Sequence, residues 1–579
     1  MRPYRHSRPG PAALAAAVLG VSLFSAACVS TPPPVSGTAL TMQGRSEESA
    51  AAKAAVEALL ARGTPESLAR ARELAESSKV LSPSDGTLYR WYAVELGRMA
   101  YPETLGTAPV AAEPPPGHPW ARAFADARTG RIGTPREGAD PLELLALAST
   151  LFRGDSRETA RAVHLALELF AQSRMDSPLA EHLRGVLAER SGDTAAAQSR
   201  YVAAFVSAPD CYPALYGAAR SLIALGRPKE AGEILSASKA AFGESFGWVR
   251  LMALALYDSG RFEEAGPYVL RVLREDPLDS RILLVRADML VRAGDYRQAA
   301  PLLDAYGAVD SADRRYLFLR GRTAWEGSRN KDEALRYFRK LLSIYPDDAE
   351  ALLAAARILA QGTAGERGEA YLMAGRVLAK NPADSGALRI LLAEEIRRRD
   401  WSAALATLER LRTADPEYRD RAAMHLVYRS AGKLEEAFRT ASEWRTASPD
   451  SEDARIAYIR SLIDRKDAAG ARDLIVRALT EKGSARFRSG LYFLQSLIQP
   501  NDEAALNSLR SSLVENVQNL EALTAMYDIY MRQKDAQKAR FYLRQALAVA
   551  PDDPGLARRR EKGRKELSKA LAQVHAMGI

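Results

Sequence analysis

An alanine returns at a nearly constant interval through most of this 579-residue chain. Ala197, Ala231, Ala265, Ala299, Ala334, Ala370, Ala404, Ala437, Ala471, Ala505 and Ala539 follow one another at spacings of 34, 34, 34, 35, 36, 34, 33, 34, 34 and 34. In an alanine-rich chain such a series has weight only if its neighbours agree. Twelve residues after the alanine stands a proline in seven of the eleven units (Pro209, Pro277, Pro346, Pro382, Pro416, Pro449 and Pro551), with Gly243 and Gly483 in two others. Five residues before it stands a glycine in six units: Gly192, Gly226, Gly260, Gly294, Gly365 and Gly432. Glycine can close a helix through a left-handed residue, and proline ends one because it lacks the N–H that the next turn needs. Each unit therefore reads helix, turn, helix, turn.

The stretch Trp248 to Pro277 shows the logic within one unit. Val249, Met252, Ala253 and Leu256 fall on one helical face before the Ser259-Gly260 break, and Phe262, Ala265, Tyr268, Val269 and Val272 form a second stripe that ends at Pro277. The small Ala253 and Ala265 let the two helices approach closely. This pattern resembles the tetratricopeptide repeat, whose signature has small residues at its eighth and twentieth positions, a large one near the twenty-fourth and proline at the thirty-second. The resemblance runs from Pro178 to Asp552, with the units around Ala471 and Ala505 lacking the glycine and the proline. It implies an all-α fold: an α-solenoid, or superhelical array, of stacked antiparallel helix-turn-helix repeats of about 34 residues, because a lone hairpin cannot bury both its faces.

Around this array the chain divides as follows. Residues 1–27 read as a lipoprotein-type signal peptide, 28–44 as a flexible tether, 45–101 as an N-terminal helical segment and 102–140 as a Pro-rich linker. Residues 141–177 read as a degenerate helical hairpin, 178–552 as about eleven repeats, and 553–579 as a basic C-terminal capping helix. Arg2, Arg5 and Arg8 precede an apolar stretch, Ala12 to Phe24, that ends in Ser25-Ala26-Ala27-Cys28, the layout of a secretory signal. Small residues before a cysteine resemble the lipobox of bacterial lipoproteins, which implies lipidation of Cys28. Ser25 stands where that motif usually has leucine. Ordinary cleavage after Ala27 and an uncleaved anchor are the alternatives. The polar, proline-rich Val29 to Thr38 suits a tether. By the same resemblance, Val29 in place of aspartate implies the outer membrane's periplasmic face of the bacterial envelope.

The net charge of +9 is a nucleic-acid signal only until it is apportioned. Three positive charges leave with the signal, and Arg558 to Lys569 carries seven basic residues against Glu561 and Glu566, so the body is nearly neutral. No nucleic-acid partner is expected. Two cysteines, Cys28 and Cys211, and six scattered histidines give no disulfide framework and no metal spacing. No cofactor is expected. Gly243-Glu244-Ser245-Phe246-Gly247 matches the nucleophile elbow of hydrolases by letters, but that elbow needs a strand before its serine. Glu394-Glu395 beside Arg397, Arg398 and Arg399 reads as a solvated helix face, and Trp91, Trp248 and Trp401 as core. The chain is not expected to be an enzyme.

Binding has better candidates. In arrays of this type the first helices line a groove, and in register Tyr216, Arg220, Arg250, Tyr257, Asp288, Arg292, Arg322 and Trp325 fall on first-helix positions. Arginine and aromatics are the usual interface anchors. The expectation is a membrane-anchored periplasmic scaffold that gathers envelope proteins or peptides in this groove. The alternative is a solute-binding or transport-accessory lipoprotein with a pocket in the array.

Overall fold

The computed structural model describes residues 42–102, 117–129, 133–154, 156–551, 553 and 555–561. Cys28, the signal segment, most of the tether and the end of the basic tail lie outside them. The described residues form helices joined by short turns, with no strand among them. The fold is the all-α solenoid of paired helices, and it divides into two compact units at Ser311.

In the first unit, four hairpins follow one another: Pro178–Arg190 with Thr194–Ser207, Tyr212–Ala224 with Pro228–Ala237, Phe246–Asp258 with Phe262–Glu275, and Ser280–Arg292 with Tyr296–Gly307. In the second, Arg314–Arg322 pairs with Lys331–Ile344, Ala349–Leu359 with Ala364–Lys380, and Ser385–Arg398 with Trp401–Ala414. Arg421–Ser430 with Leu434–Ala447, Glu452–Asp464 with Ala468–Thr480, Ala485–Leu497 with Asp502–Glu515, and Leu520–Arg532 with Ala536–Val549 complete it. Hairpins form at Ala471 and Ala505 although both units lack the glycine and the proline.

All eleven series alanines are buried. Their methyl groups fill the closest approach of paired helices, where a larger side chain would force the backbones apart. Each of the seven series prolines directly follows the residue that caps a second helix, as Pro209 follows Ala208 and Pro277 follows Asp276. The glycine position is more informative. Gly192, Gly226, Gly260, Gly294 and Gly432 have φ between 71° and 84°, and the next N–H reaches back six-to-one, as from Arg261 to the Leu256 carbonyl at 2.9 Å. That is the hydrogen-bonded close of a helix through a left-handed residue. In four further units the same left-handed place is held by Arg329, Arg399, Lys466 and Lys534. Gly365 does not take this part. It lies inside Ala364–Lys380, whose start is fixed by a reciprocal cap between Thr363 and Glu366.

The irregular spacings have local causes. The 35-residue step to Ala334 contains a π-helical turn, Thr323–Gly327, which inserts one residue into the first helix. The 36-residue step to Ala370 falls where Ala360 to Gly362 lengthen the turn before the Thr363 cap.

Before the first unit's hairpins, Met42–Arg62, Pro65–Ser77 and Pro83–Ala100 fold back onto them. Arg62 pairs with Asp176 and donates to the Ser207 carbonyl at 3.1 Å, the Glu66 N–H donates to Asp210 at 2.7 Å, and the Tyr101 ring lies 5.7 Å from that of Tyr212. One hydrophobic core runs from Val56 to Ala214. The Pro-rich stretch 102–140 differs from the linker expected of it. It contains Pro119–Thr129, whose Trp120 and Phe124 pack edge-on against Tyr92 at 4.9 and 5.2 Å. Two large aromatics at a helical spacing of four outweigh the proline signal that precedes them.

Candidate functional site: the first-helix face

The candidate residues lie where the register put them. Tyr216 and Arg220 are on Tyr212–Ala224, Arg250 and Tyr257 on Phe246–Asp258, Asp288 and Arg292 on Ser280–Arg292, and Arg322 on Arg314–Arg322. Trp325 lies in the π-helical turn, with the Arg329 guanidinium 5.9 Å over its ring.

Most of these side chains bridge one repeat to the next. Arg220 donates twice to Glu189 of the preceding first helix, at 2.7 and 2.8 Å, and Tyr201 donates to the same carboxylate at 2.6 Å. Burial works to raise the Glu189 pKa, but the hydrogen bonds from Arg220 and Tyr201 outweigh it and hold the carboxyl below its usual range. Tyr216 shares a hydrogen bond with Ser245. Arg250 pairs with Asp279, which also caps the next first helix by accepting from the Ile282 N–H at 3.1 Å. Arg314 ties itself to Asp348, the cap of Ala349–Leu359, in the same way.

Three of the candidates meet directly. The Tyr257 hydroxyl donates to Asp288, Arg292 donates to the same carboxylate at 2.8 Å, and the Arg292 guanidinium lies 4.9 Å over the Phe262 ring. Asp288 is fully buried, so it works as the shared acceptor of this cluster and not as a free surface charge. Arg322 forks onto Glu326 at 3.0 and 2.6 Å. Glu189, Asp279 and Glu326 are not among the sequence candidates, and Ser245 enters there only through its elbow-like motif, not as a partner of Tyr216. Asp279 and Ser245 belong to a second series that was legible there, the first-helix caps Ser177, Cys211, Ser245, Asp279 and Asp313, spaced by 34 residues each.

Three other expectations change. Glu394 and Glu395 are buried, not a solvated face: Glu394 accepts from Arg398 at 2.9 Å and lies 3.4 Å from Arg367 of the preceding helix, and Tyr371 donates to Glu395 at 3.2 Å. A carboxylate pair can be buried here because guanidinium and phenol groups surround it. Trp91 and Trp248 are core, whereas Trp401 begins a second helix and is half-buried. Ser245, the serine of the elbow-like motif, sits in a turn between helices and donates to the Phe242 carbonyl at 2.8 Å. No cluster of three metal-ligating side chains occurs among the described residues. No helix among them is long and apolar enough to cross a membrane.

First-helix side chains that bridge neighbouring repeats, buried second-helix alanines and left-handed turns together define an all-α protein of helical-hairpin repeats. Models of the tetratricopeptide repeat match residues 188–255, 250–308, 284–349 and 527–553. The chain is a tetratricopeptide-repeat protein. No curated protein matches it. Among solved structures it is similar to PilW, described as a widely conserved type IV pilus biogenesis factor, with 17% identity, 37% of this chain and 97% of that one covered, and a TM-score of 0.31. It is also similar to Pseudomonas aeruginosa pilF (15% identity, 37% and 96% covered, TM-score 0.32) and to a tetratricopeptide repeat protein from Parabacteroides merdae (18%, 44% and 98%, TM-score 0.29).

One first-helix position changes in character near residue 349. Up to there the first-helix place that faces the paired helix is small: Gly185, Ala219, Ala253, Ala287 and Gly321. A Cβ added at Gly185 or Gly321 would come within 2.6 or 2.7 Å of the Tyr201 or Phe338 ring. Twelve residues before the later series alanines stand Leu392, His425, Ile459, Phe493 and Tyr527, all buried. The hairpin persists while its signature residue changes.

Proposed function

We propose that this chain is a membrane-tethered scaffold that holds partner proteins on the first-helix face of its repeats, anchored through lipidated Cys28 at the periplasmic face of the outer membrane. Tetratricopeptide repeats are protein-interaction modules, and the observation that carries the reading is the arginine and tyrosine ladder on successive first helices. Its rungs, Glu189–Arg220 and Tyr257–Asp288–Arg292, fix neighbouring helices against each other, so the face is preorganised before a partner arrives. Half-buried Tyr216 and Tyr257 offer flat aromatic surface beside guanidinium groups, the composition of interface anchors. The Cys28 thioether and the proline-rich tether would set this face off from the bilayer.

Fractionation of cells expressing the native chain and a Cys28→Ser variant, with affinity capture and mass spectrometry of each, tests the proposal. It requires a partner set recovered with the native chain from membranes, and release of the variant from those membranes. A variant that stays with the membrane, or a native chain that recovers no specific partner, contradicts it.

A further inference from the structure

We propose that a cavity in the second unit binds a small zwitterion with an apolar side chain, such as a free apolar amino acid or a dipeptide. The cavity, of about 300 Å³, lies between Ala485–Leu497, Leu520–Arg532 and the helical residues 555–561 that follow the last hairpin. Its size is at the lower end of small-molecule sites and matches the share of about ten waters, room for an amino acid or dipeptide and not for a nucleotide.

The apolar wall comes from Phe493, Leu497, Leu520 and Leu556. Leu497 is 46% exposed, so an apolar side chain on the ligand would cover surface that water now touches. The polar wall holds both signs. Arg399 and Arg559 supply guanidinium groups, and Asp528, Asp553 and Glu521 supply carboxylates. Arg559 forks onto Asp528 at 3.1 and 2.9 Å, Arg399 pairs with Asp553, and Glu521 is neutralised from outside the cavity by Arg460. The lining is thus charge-balanced. A phosphate or other multiply charged anion would leave carboxylates facing it, whereas a zwitterion can set its carboxylate against Arg399 and its ammonium against Asp528.

The Arg399 contact identifies the anchor. Asp553 lies 154 residues away, beyond the end of the last hairpin, so the C-terminal segment delivers a carboxylate to a turn five hairpins earlier. Arg399 holds a left-handed φ of 57° where glycine serves in other units, a conformation that a residue with a Cβ rarely adopts. Its side chain reaches the cavity from that strained place, and Asp553 stands where a ligand carboxylate would exchange for it.

Calorimetric titration of the full chain with leucyl-leucine, its N-acetyl form and its C-terminal amide tests the site. The proposal requires saturable binding of the free dipeptide and at least about tenfold weaker binding of both capped forms. Arg399→Gly should weaken binding about tenfold without lowering the melting midpoint, because glycine suits the turn and Asp553 still caps residues 555–561 through the Gly555 N–H at 2.7 Å. Asp528→Asn should weaken it as well. No binding at millimolar dipeptide, equal binding of the capped forms, or indifference to Arg399→Gly would overturn the assignment. The cavity uses the first helices Ala485–Leu497 and Leu520–Arg532 but none of the ladder residues, and the titration reads neither partner capture nor membrane release, so a failure of one proposal is distinguishable from a failure of the other.

Discussion

Lys466 and Gly432 occupy the same place in successive hairpins with the same handedness, φ being 65° for the lysine and 78° for the glycine. The turn imposes the conformation, and the lysine backbone carries the strain because its Cβ crowds the following carbonyl. Lys466→Gly and Lys534→Gly should therefore each raise stability by about 0.5–1 kcal/mol, seen as an upward shift of the urea midpoint. Gly260→Ala should lower it by more than about 1 kcal/mol. Unchanged midpoints in all three would mean that the turns relax freely.

Tyr201 is gripped by two glycines. A Cβ on Gly185 would lie 2.6 Å from its ring and one on Gly217 2.7 Å from it, while its hydroxyl is fixed on Glu189. Gly217→Ala should cost about 1–3 kcal/mol through overpacking, and Tyr201→Phe about 1 kcal/mol through the lost hydrogen bond. Thermal denaturation of the two variants measures both effects, and equal costs would show that the ring has room to move.

His182 lies buried against the rings of Phe152 and Tyr201, its Nδ1 without a hydrogen-bond partner, and burial lowers its pKa to about 4. His425, buried and hydrogen-bonded to Ser461 at 2.9 Å, is lowered to about 4 by the same cause. An unfolded histidine takes its proton near pH 6.5, so between that pH and 4 the unfolded state binds more protons than the folded one. Stability should fall as pH drops through this window, by up to about 3 kcal/mol for each histidine. His182→Phe removes one titrating group and should flatten the decline of the melting midpoint. An acid profile unchanged by the substitution would place the loss elsewhere.

Cys211 is fully buried beneath Tyr101, and burial pushes its thiol up to about 11. In a Cys28→Ser chain, a thiol reagent at neutral pH should label Cys211 only when the N-terminal helices open, so labelling should accelerate in urea and in an Arg62→Ala variant that loses the clamp on Asp176. Rapid labelling of the native chain would contradict the fold-back of residues 42–102.

The repeat was legible because backbone chemistry repeats. Alanine at the helix contact, proline after the cap and glycine in the turn each answer a local steric demand. Arg329, Arg399, Lys466 and Lys534 were not legible as turn residues, since nothing in an arginine or lysine signals a left-handed φ. The buried Glu394 pair and the packed Pro119–Thr129 helix were misread for a related cause: charge and proline suggest exposure, while burial is decided by partners distant in sequence. Register placed the candidate arginines on the correct helices but could not show that Glu189 and Asp279 already engage them.

The measurement that tests the scaffold reading most directly is site-specific photo-crosslinking in cells. A photoreactive residue placed at Tyr216 or Tyr257, on the first-helix face, should capture one recurring partner protein. The same probe at Leu270 or Leu372, exposed on second helices, should capture none of it. Equal capture from both sets, or capture from the second-helix positions alone, would contradict the claim that the first-helix face is where this protein works.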